Sequence, residues 1–172
     1  MQEQNKLARF EQAVLPHQDA AYNLACWLTR NQADAEDIVQ EAFLRAFKFF
    51  GGFRGGDSRA WLLTIVRNAS YTWLQQHRSS ELTTEFDEKL HSVEGDNPET
   101  ILLEDADKQM LKQALEELPI EFREAVILRE LEGLSYKEIS HITDAPVGTV
   151  MSRLARGRRR LQLYLTNRRQ GV

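Results

Sequence analysis

Cysteine is almost missing: Cys26 is the only one in 172 residues, which excludes an intrachain disulfide and a cysteine-built zinc cluster. It sits in Leu24-Ala25-Cys26-Trp27-Leu28, an apolar setting that suits a buried structural thiol better than a redox sensor. Glycine (9) and proline (4) are scarce, so the turn formers of an all-β chain are lacking. No stretch alternates apolar and polar residues long enough for a strand, and no internal repeat is present. Long apolar runs are absent too. The longest uncharged stretch of the first third, Ala20 to Thr29, falls far short of the about 20 residues a membrane span needs, and no signal-like apolar run follows Met1. The expectation is an all-α protein of the cytoplasm, one domain or two small ones at about 150 residues per domain.

What the chain does have is charge in blocks, which the net charge of -4 averages away. Seven arginines and no acid lie between Pro146 and Val172. Leu44 to Arg78 carries Arg45, Lys48, Arg54, Arg59, Arg67 and Arg78 against Asp57, whereas Glu81 to Asp107 holds ten acids against Lys89. Two basic segments separated by an acidic one point to two polyanion-binding surfaces, since uncompensated like charges repel unless a partner neutralises them.

From Asp34 to Phe50 the apolar Val39, Phe43, Ala46, Phe47 and Phe50 share one helix face, with Asp34, Asp37, Glu41, Arg45 and Lys48 opposite. Gly51-Gly52-Phe53-Arg54-Gly55-Gly56 breaks that helix into a loop. Asp57 or Ser58 caps the next helix, which buries Leu62, Ile65, Val66, Ala69 and Trp73 and turns Thr64, Arg67, Tyr71, Gln75 and Arg78 outward. Ser79 to Asn97 loses periodicity and gathers acids, so it reads as a linker. The resulting division is a domain over 1–79, an acidic linker over 80–97 and a second domain over 98–172.

Asn97 with Pro98 suits a helix start whose core candidates are Leu103, Met110, Leu111, Ala114, Leu115 and Leu118, stopped by Pro119. A second helix presents Phe122, Val126, Ile127 and Leu131 and ends at Gly133. Ser135-Tyr136-Lys137-Glu138 is a capping box that opens a short helix to about Thr143. After Asp144-Ala145-Pro146, the positions Val147, Val150, Leu154, Leu161 and Leu165 mark the buried side of a long last helix, with Thr149, Ser152, Arg153, Arg156 and Arg160 facing away. A short helix, a turn and a basic helix form a helix-turn-helix, whose second helix enters the major groove.

Thr149, Ser152 and Arg153 lie early enough in that helix to reach base edges, arginine being able to bind guanine in bidentate fashion. Arg156, Arg158, Arg159 and Arg160 follow where phosphates lie. In the first half Phe49, Phe53, Trp61, Tyr71 and Trp73 are interleaved with Arg45, Lys48, Arg54, Arg59 and Arg67, the stacking surfaces and cations that single-stranded nucleic acid needs. Trp61 and Trp73 belong to the core by spacing, while Phe53 and Tyr71 stay open to function. A rival reading makes Asp34, Asp37 and Glu41 magnesium ligands of a hydrolase, with a second carboxylate set from Glu117, Glu121 and Glu124, but that set straddles Pro119 in the other domain. His17, His77, His91 and His141 are scattered and form no nucleophile-base-acid set.

Asp34-Ala35-Glu36-Asp37-Ile38-Val39-Gln40-Glu41-Ala42-Phe43-Leu44-Arg45-Ala46-Phe47, then Phe53-Arg54-Gly55 and Trp61-Leu62-Leu63-Thr64-Ile65-Val66-Arg67-Asn68, resemble the second conserved region of the extracytoplasmic-function sigma factors of bacterial RNA polymerase. Leu118-Pro119, Phe122-Arg123, Gly133-Leu134-Ser135-Tyr136-Lys137-Glu138-Ile139 and Pro146-Val147-Gly148-Thr149-Val150-Met151-Ser152-Arg153-Leu154 are similar to the family's fourth region. The resemblance runs from about Leu7 to Leu165. Gly51-Gly52 departs from it, being richer in glycine than the family's approach to this loop.

The resemblance implies a non-enzymatic subunit without cofactor or metal. It implies that Asp34, Asp37, Gln40 and Glu41 dock on the clamp coiled coil of the largest polymerase subunit. Lys48, Phe53, Arg54, Arg59, Arg67, Asn68 and Tyr71 would capture the minus-ten element and an unstacked base, whose flipping costs a few kcal/mol. The linker would thread the RNA-exit path, and Ser135, Tyr136, Lys137, Thr149, Ser152, Arg153, Arg156 and Arg160 would read the minus-thirty-five duplex. The chain lacks the long N-terminal and third regions of housekeeping sigma factors and has no room for a fused C-terminal sensor, so a separate anti-sigma factor is the expected control. The alternative is a stand-alone helix-turn-helix regulator with an N-terminal sensing or dimerisation domain, which would bind its site without polymerase.

Overall fold

The computed structural model describes residues 2–81 and 106–170. The expected linker, the Asn97–Pro98 helix start and Leu103 lie outside the described residues. Among those described the structure is helical and contains no strand.

The first bundle comprises α1 (Gln2–Val14), α2 (Gln18–Thr29), α3 (Gln32–Phe49) and α4 (Ser58–Glu81), with 3-10 turns at Leu15–His17 and Phe50–Gly52. Arg30 stops α2 in the left-handed region at φ 59°, and Asn31 caps α3 by accepting the Asp34 amide on its Oδ1 at 3.1 Å. The cap starts α3 two residues ahead of the first charge that its periodicity marks. Asp57 supplies the cap of α4, its carboxylate accepting the Ala60 amide at 3.1 Å. Leu24, Leu28, Ile38, Leu62, Leu63 and Val66 fill the core, and Phe10 closes it with edge-on contacts to Phe43, Phe47 and Phe50.

The second bundle comprises α5 (Ala106–Glu116), α6 (Ile120–Val126), α7 (Tyr136–Thr143) and α8 (Val147–Gln170). Its core is Leu115, Leu118, Val126, Ile127, Leu128, Leu134, Ile139, Ile142, Val150 and Leu154. α6 runs on into a π-turn over Ile127–Leu131, and Gly133 at φ 67° reverses the chain towards α7. Three expected core residues are exposed: Leu111 at 43%, Leu131 at 58% and Val147 at 41%. The π-turn adds a residue to the helical repeat and rotates Leu131 off the apolar face, Val147 stands at the open start of α8, and α5 buries only the narrow stripe of Ala114 and Leu115.

α8 crosses α6 at Gly157, where an added Cβ would lie 2.8 Å from Val126 Cγ2 and 3.5 Å from Phe122 Cβ. Gly157→Val is therefore expected to destabilise the protein by about 1–3 kcal/mol through overpacking. Chemical denaturation checks this, and a stability equal to wild type contradicts the close approach. The bundles also meet each other, α2 lying against α6 and α4 against α7.

Candidate nucleic-acid interface

The helix-turn-helix is built as its spacing predicts. Glu138 N–H donates to Ser135 Oγ at 3.1 Å while Ser135 N–H donates to Glu138 Oε1 at 3.0 Å, so the capping box closes in both directions. Asp144 ends α7 in the left-handed region at φ 51°, and α8 follows. Ser152, Arg156, Arg159 and Arg160 are exposed on α8, as are Ser135 and Lys137 at the start of the motif, while Thr149, Arg153 and Tyr136 are half-buried. Arg160 lies over the Phe122 ring at 5.3 Å and Arg129 over Tyr136 at 4.6 Å. Arg158, expected among the phosphate contacts, pairs instead with Glu130.

The second basic surface lies on the loop before α4 and along that helix. Gly55 and Gly56 adopt φ of 87° and 95°, a bend that other residues enter only with strain. Phe53 is not open as expected: it stacks on Phe50 at 5.7 Å and tilts against Trp61 at 5.1 Å, because the glycine bend folds the loop back on the bundle. Trp61 and Trp73 are half-buried. Lys48, Arg54 and Asn68 are exposed, and a cavity of about 290 Å³ opens beside Phe53 between Asn5, Lys6 and Arg9 of α1 and Phe50 and Gly51. Lys6 and Arg9 were not evident from the sequence, since α1 is remote in the chain.

Arg59, Arg67 and Tyr71 are not free on the outer face of α4, because the second bundle covers it. Arg59 Nη1 donates to the Glu132 carbonyl at 3.1 Å. Arg67 lies over the Tyr71 ring at 3.9 Å and its Nε donates to Glu124 Oε2 at 2.8 Å, while the Tyr71 hydroxyl donates to Glu124 Oε1 at 3.3 Å. Burial pushes the Glu124 carboxyl up from its usual range against the pull of Arg67 and Tyr71. Burial and the Glu124 charge likewise push the Tyr71 phenol up, which keeps it a proton donor. Glu124, one of the carboxylates a magnesium site would need, is thus taken up by this pairing.

Beside it Arg123 is 4% exposed and donates to the carbonyls of Glu116 at 3.1 Å, Leu118 at 2.9 Å and Leu28 at 3.2 Å, tying the ends of α5 and α2 together. Burial, with nearby Arg30, lowers its pKa to about 10. Arg123 and Glu124 were missed as contact residues, yet each lies one turn before a buried residue, Ile127 and Leu128. Charged residues in phase with an apolar face are the signal that could have found them.

The acidic face of α3 is on the outside. Asp37, Gln40 and Glu41 are exposed and Asp34 is half-buried. Gln40 also lines an apolar groove of about 470 Å³ formed with Leu7, Phe10, Phe43, Leu44 and Phe47, with Leu44 73% exposed. An apolar stripe and carboxylates together on the outer face of one helix are suited to a protein partner carrying basic residues.

The Sigma-70 region 2 model matches residues 13–80 and the Sigma-70 region 4 model residues 108–161. The chain is 34% identical over 158 residues to the RNA polymerase sigma-H factor of Pseudomonas aeruginosa, covering 87% of this chain and 82% of that protein. It is 39% identical over 134 residues to the ECF RNA polymerase sigma-E factor of Escherichia coli strain K12, covering 73% of this chain and 70% of that protein. It belongs to the extracytoplasmic-function sigma factors. It is also 37% identical over 166 residues to SigE of Mycolicibacterium smegmatis, covering 95% of this chain and spanning 64% of that protein's length. The solved sigma factor RpoE of Bartonella quintana, in complex with the anti-sigma factor NepR, is 31% identical with a TM-score of 0.77, over 92% of this chain and 97% of that one. A sigma factor of this class directs promoter-specific transcription initiation by RNA polymerase, so the stand-alone regulator is set aside: sigma regions 2 and 4 occur together and in order. No described helix is long and apolar enough to cross a membrane.

Proposed function

We propose that residues 1–79 form the polymerase-docking and minus-ten domain, 80–97 the linker and 98–172 the minus-thirty-five domain. Asp34, Asp37, Gln40 and Glu41 make the core-polymerase contact on the clamp coiled coil. Lys48, Phe53, Arg54, Arg59, Arg67, Asn68 and Tyr71 hold the non-template strand of the minus-ten element, with cations on phosphates and rings beneath unstacked bases. Ser135, Tyr136, Lys137, Thr149, Ser152, Arg153, Arg156 and Arg160 bind the minus-thirty-five duplex. The observation that carries the reading is the pairing of an exposed carboxylate-and-leucine face on α3 with exposed basic side chains at Lys48 and Arg54 and along α8, in a chain of this family. The chain itself performs no chemistry, since the polymerase supplies catalysis, and it works in the cytoplasm. A separate anti-sigma factor is its regulator, a reading supported by its likeness to a sigma factor solved with one.

Arg153 tests the assignment on α8. Arg153→Ala is expected to cost about 1–3 kcal/mol at one base pair and to relax preference there. Transcription from a promoter library randomised across the minus-thirty-five element reads this directly. An equal loss across all sequences would make Arg153 a phosphate contact and contradict its base-reading role.

A further inference from the structure

Three residues assigned to minus-ten DNA are each held by a group of the other bundle: Arg59 by the Glu132 carbonyl, and Arg67 and Tyr71 by the Glu124 carboxylate. Glu124 is 1% exposed, and the charge of Arg153, on the opposite DNA-reading helix, also acts on it. A carboxylate against an arginine stacked on a tyrosine offers the negative charge that a DNA phosphate would bring to the same two side chains.

This closure is separable, because it carries uncompensated costs. Among the described residues Arg123 hydrogen-bonds to carbonyls alone, and its Nε and the Tyr164 hydroxyl are buried without partners there. A permanent core would bury apolar side chains at these places.

We infer that Glu124 is a built-in inhibitory latch: lodged between Arg67 and Tyr71, it keeps the second bundle over the strand-binding face of α4 and must leave Arg67 before a DNA strand can bind there. The inference rests on the proposed assignment of Arg67 and Tyr71 to single-stranded DNA. The α3 face remains outside the contact, so polymerase docking is open while strand binding at Arg67 and Tyr71 is closed.

The test uses the full chain, a fluorescein-labelled random single strand of about 20 nucleotides, and small-angle X-ray scattering. Glu124→Ala leaves Arg67 without its counter-ion, so an increased radius of gyration and about tenfold tighter strand binding are expected. Tyr71→Phe keeps the ring for stacking, loses only the bond to Glu124, and is expected to shift both readings the same way by less. It also serves if Glu124→Ala does not fold. Arg67→Ala is expected to open the chain without the gain in affinity. Wild-type dimensions and wild-type affinity in Glu124→Ala or Tyr71→Phe overturn the latch. Expansion of Glu124→Ala with no strand binding by any form keeps the latch and overturns the assignment of Arg67 and Tyr71 to single-stranded DNA.

Discussion

Replacing Asp37 and Glu41 together by lysine is expected to weaken binding of core RNA polymerase about a hundredfold, the several kcal/mol that like-charge juxtaposition costs at an interface. Both side chains project from α3 into solvent, and Glu41 pairs with Arg45 at 3.3 Å on the exposed surface. Such an i,i+4 surface pair contributes only about 0.3–0.5 kcal/mol to folding, so the variant should keep its thermal midpoint close to wild type. Leu44 and the adjoining groove supply the apolar part of the same surface and are untouched by the substitution. A fluorescence titration of core polymerase with labelled protein measures the change. Affinity within twofold of wild type removes the docking role from this face.

Phe53→Ala is expected to reduce promoter opening by up to a hundredfold while leaving the closed complex nearly unchanged. Stacking a base on an aromatic ring contributes about 1–3 kcal/mol, and Phe53 is the aromatic residue of the glycine-bent loop. Its ring is already stacked on Phe50 and tilted over Trp61, so the loop presents a supported ring rather than a mobile one. The same packing means that truncation also lowers stability, which a denaturation curve separates from the effect on DNA. Permanganate reactivity of promoter thymines reports the opening step. Equal reactivity in variant and wild type contradicts the assignment.

Local rules reached a long way in this chain. The Ser135–Glu138 box, the turn at Gly133, the Asp57 cap and the break at Asp144 are settled within a few residues, and each is present in the structure. The acidic outer face of α3 follows from its helical period alone, and so does the basic outer face of α8. Periodicity says which side of a helix faces away from its own bundle, but not what a second bundle will lay over that side. For that reason Arg67 and Tyr71 read as open, although Glu124, 57 and 53 residues away along the chain, takes them both. Leu131 is a smaller case of the same kind, because a π-turn alters the period from which its burial was inferred.

The closed contact also orders the events of initiation. With the α3 face exposed and the α4 face covered, the latch would let docking on the polymerase precede engagement of DNA, and the free chain is expected to bind promoters poorly. That behaviour is the reverse of a regulator that finds its site alone.

The most direct test of the central claim is transcription of the source organism's fragmented genome by core polymerase, with and without this protein, mapping every new start. Starts that appear only with the protein and share two upstream elements at fixed spacing are predicted. No new starts, together with no binding of core polymerase, would contradict the account.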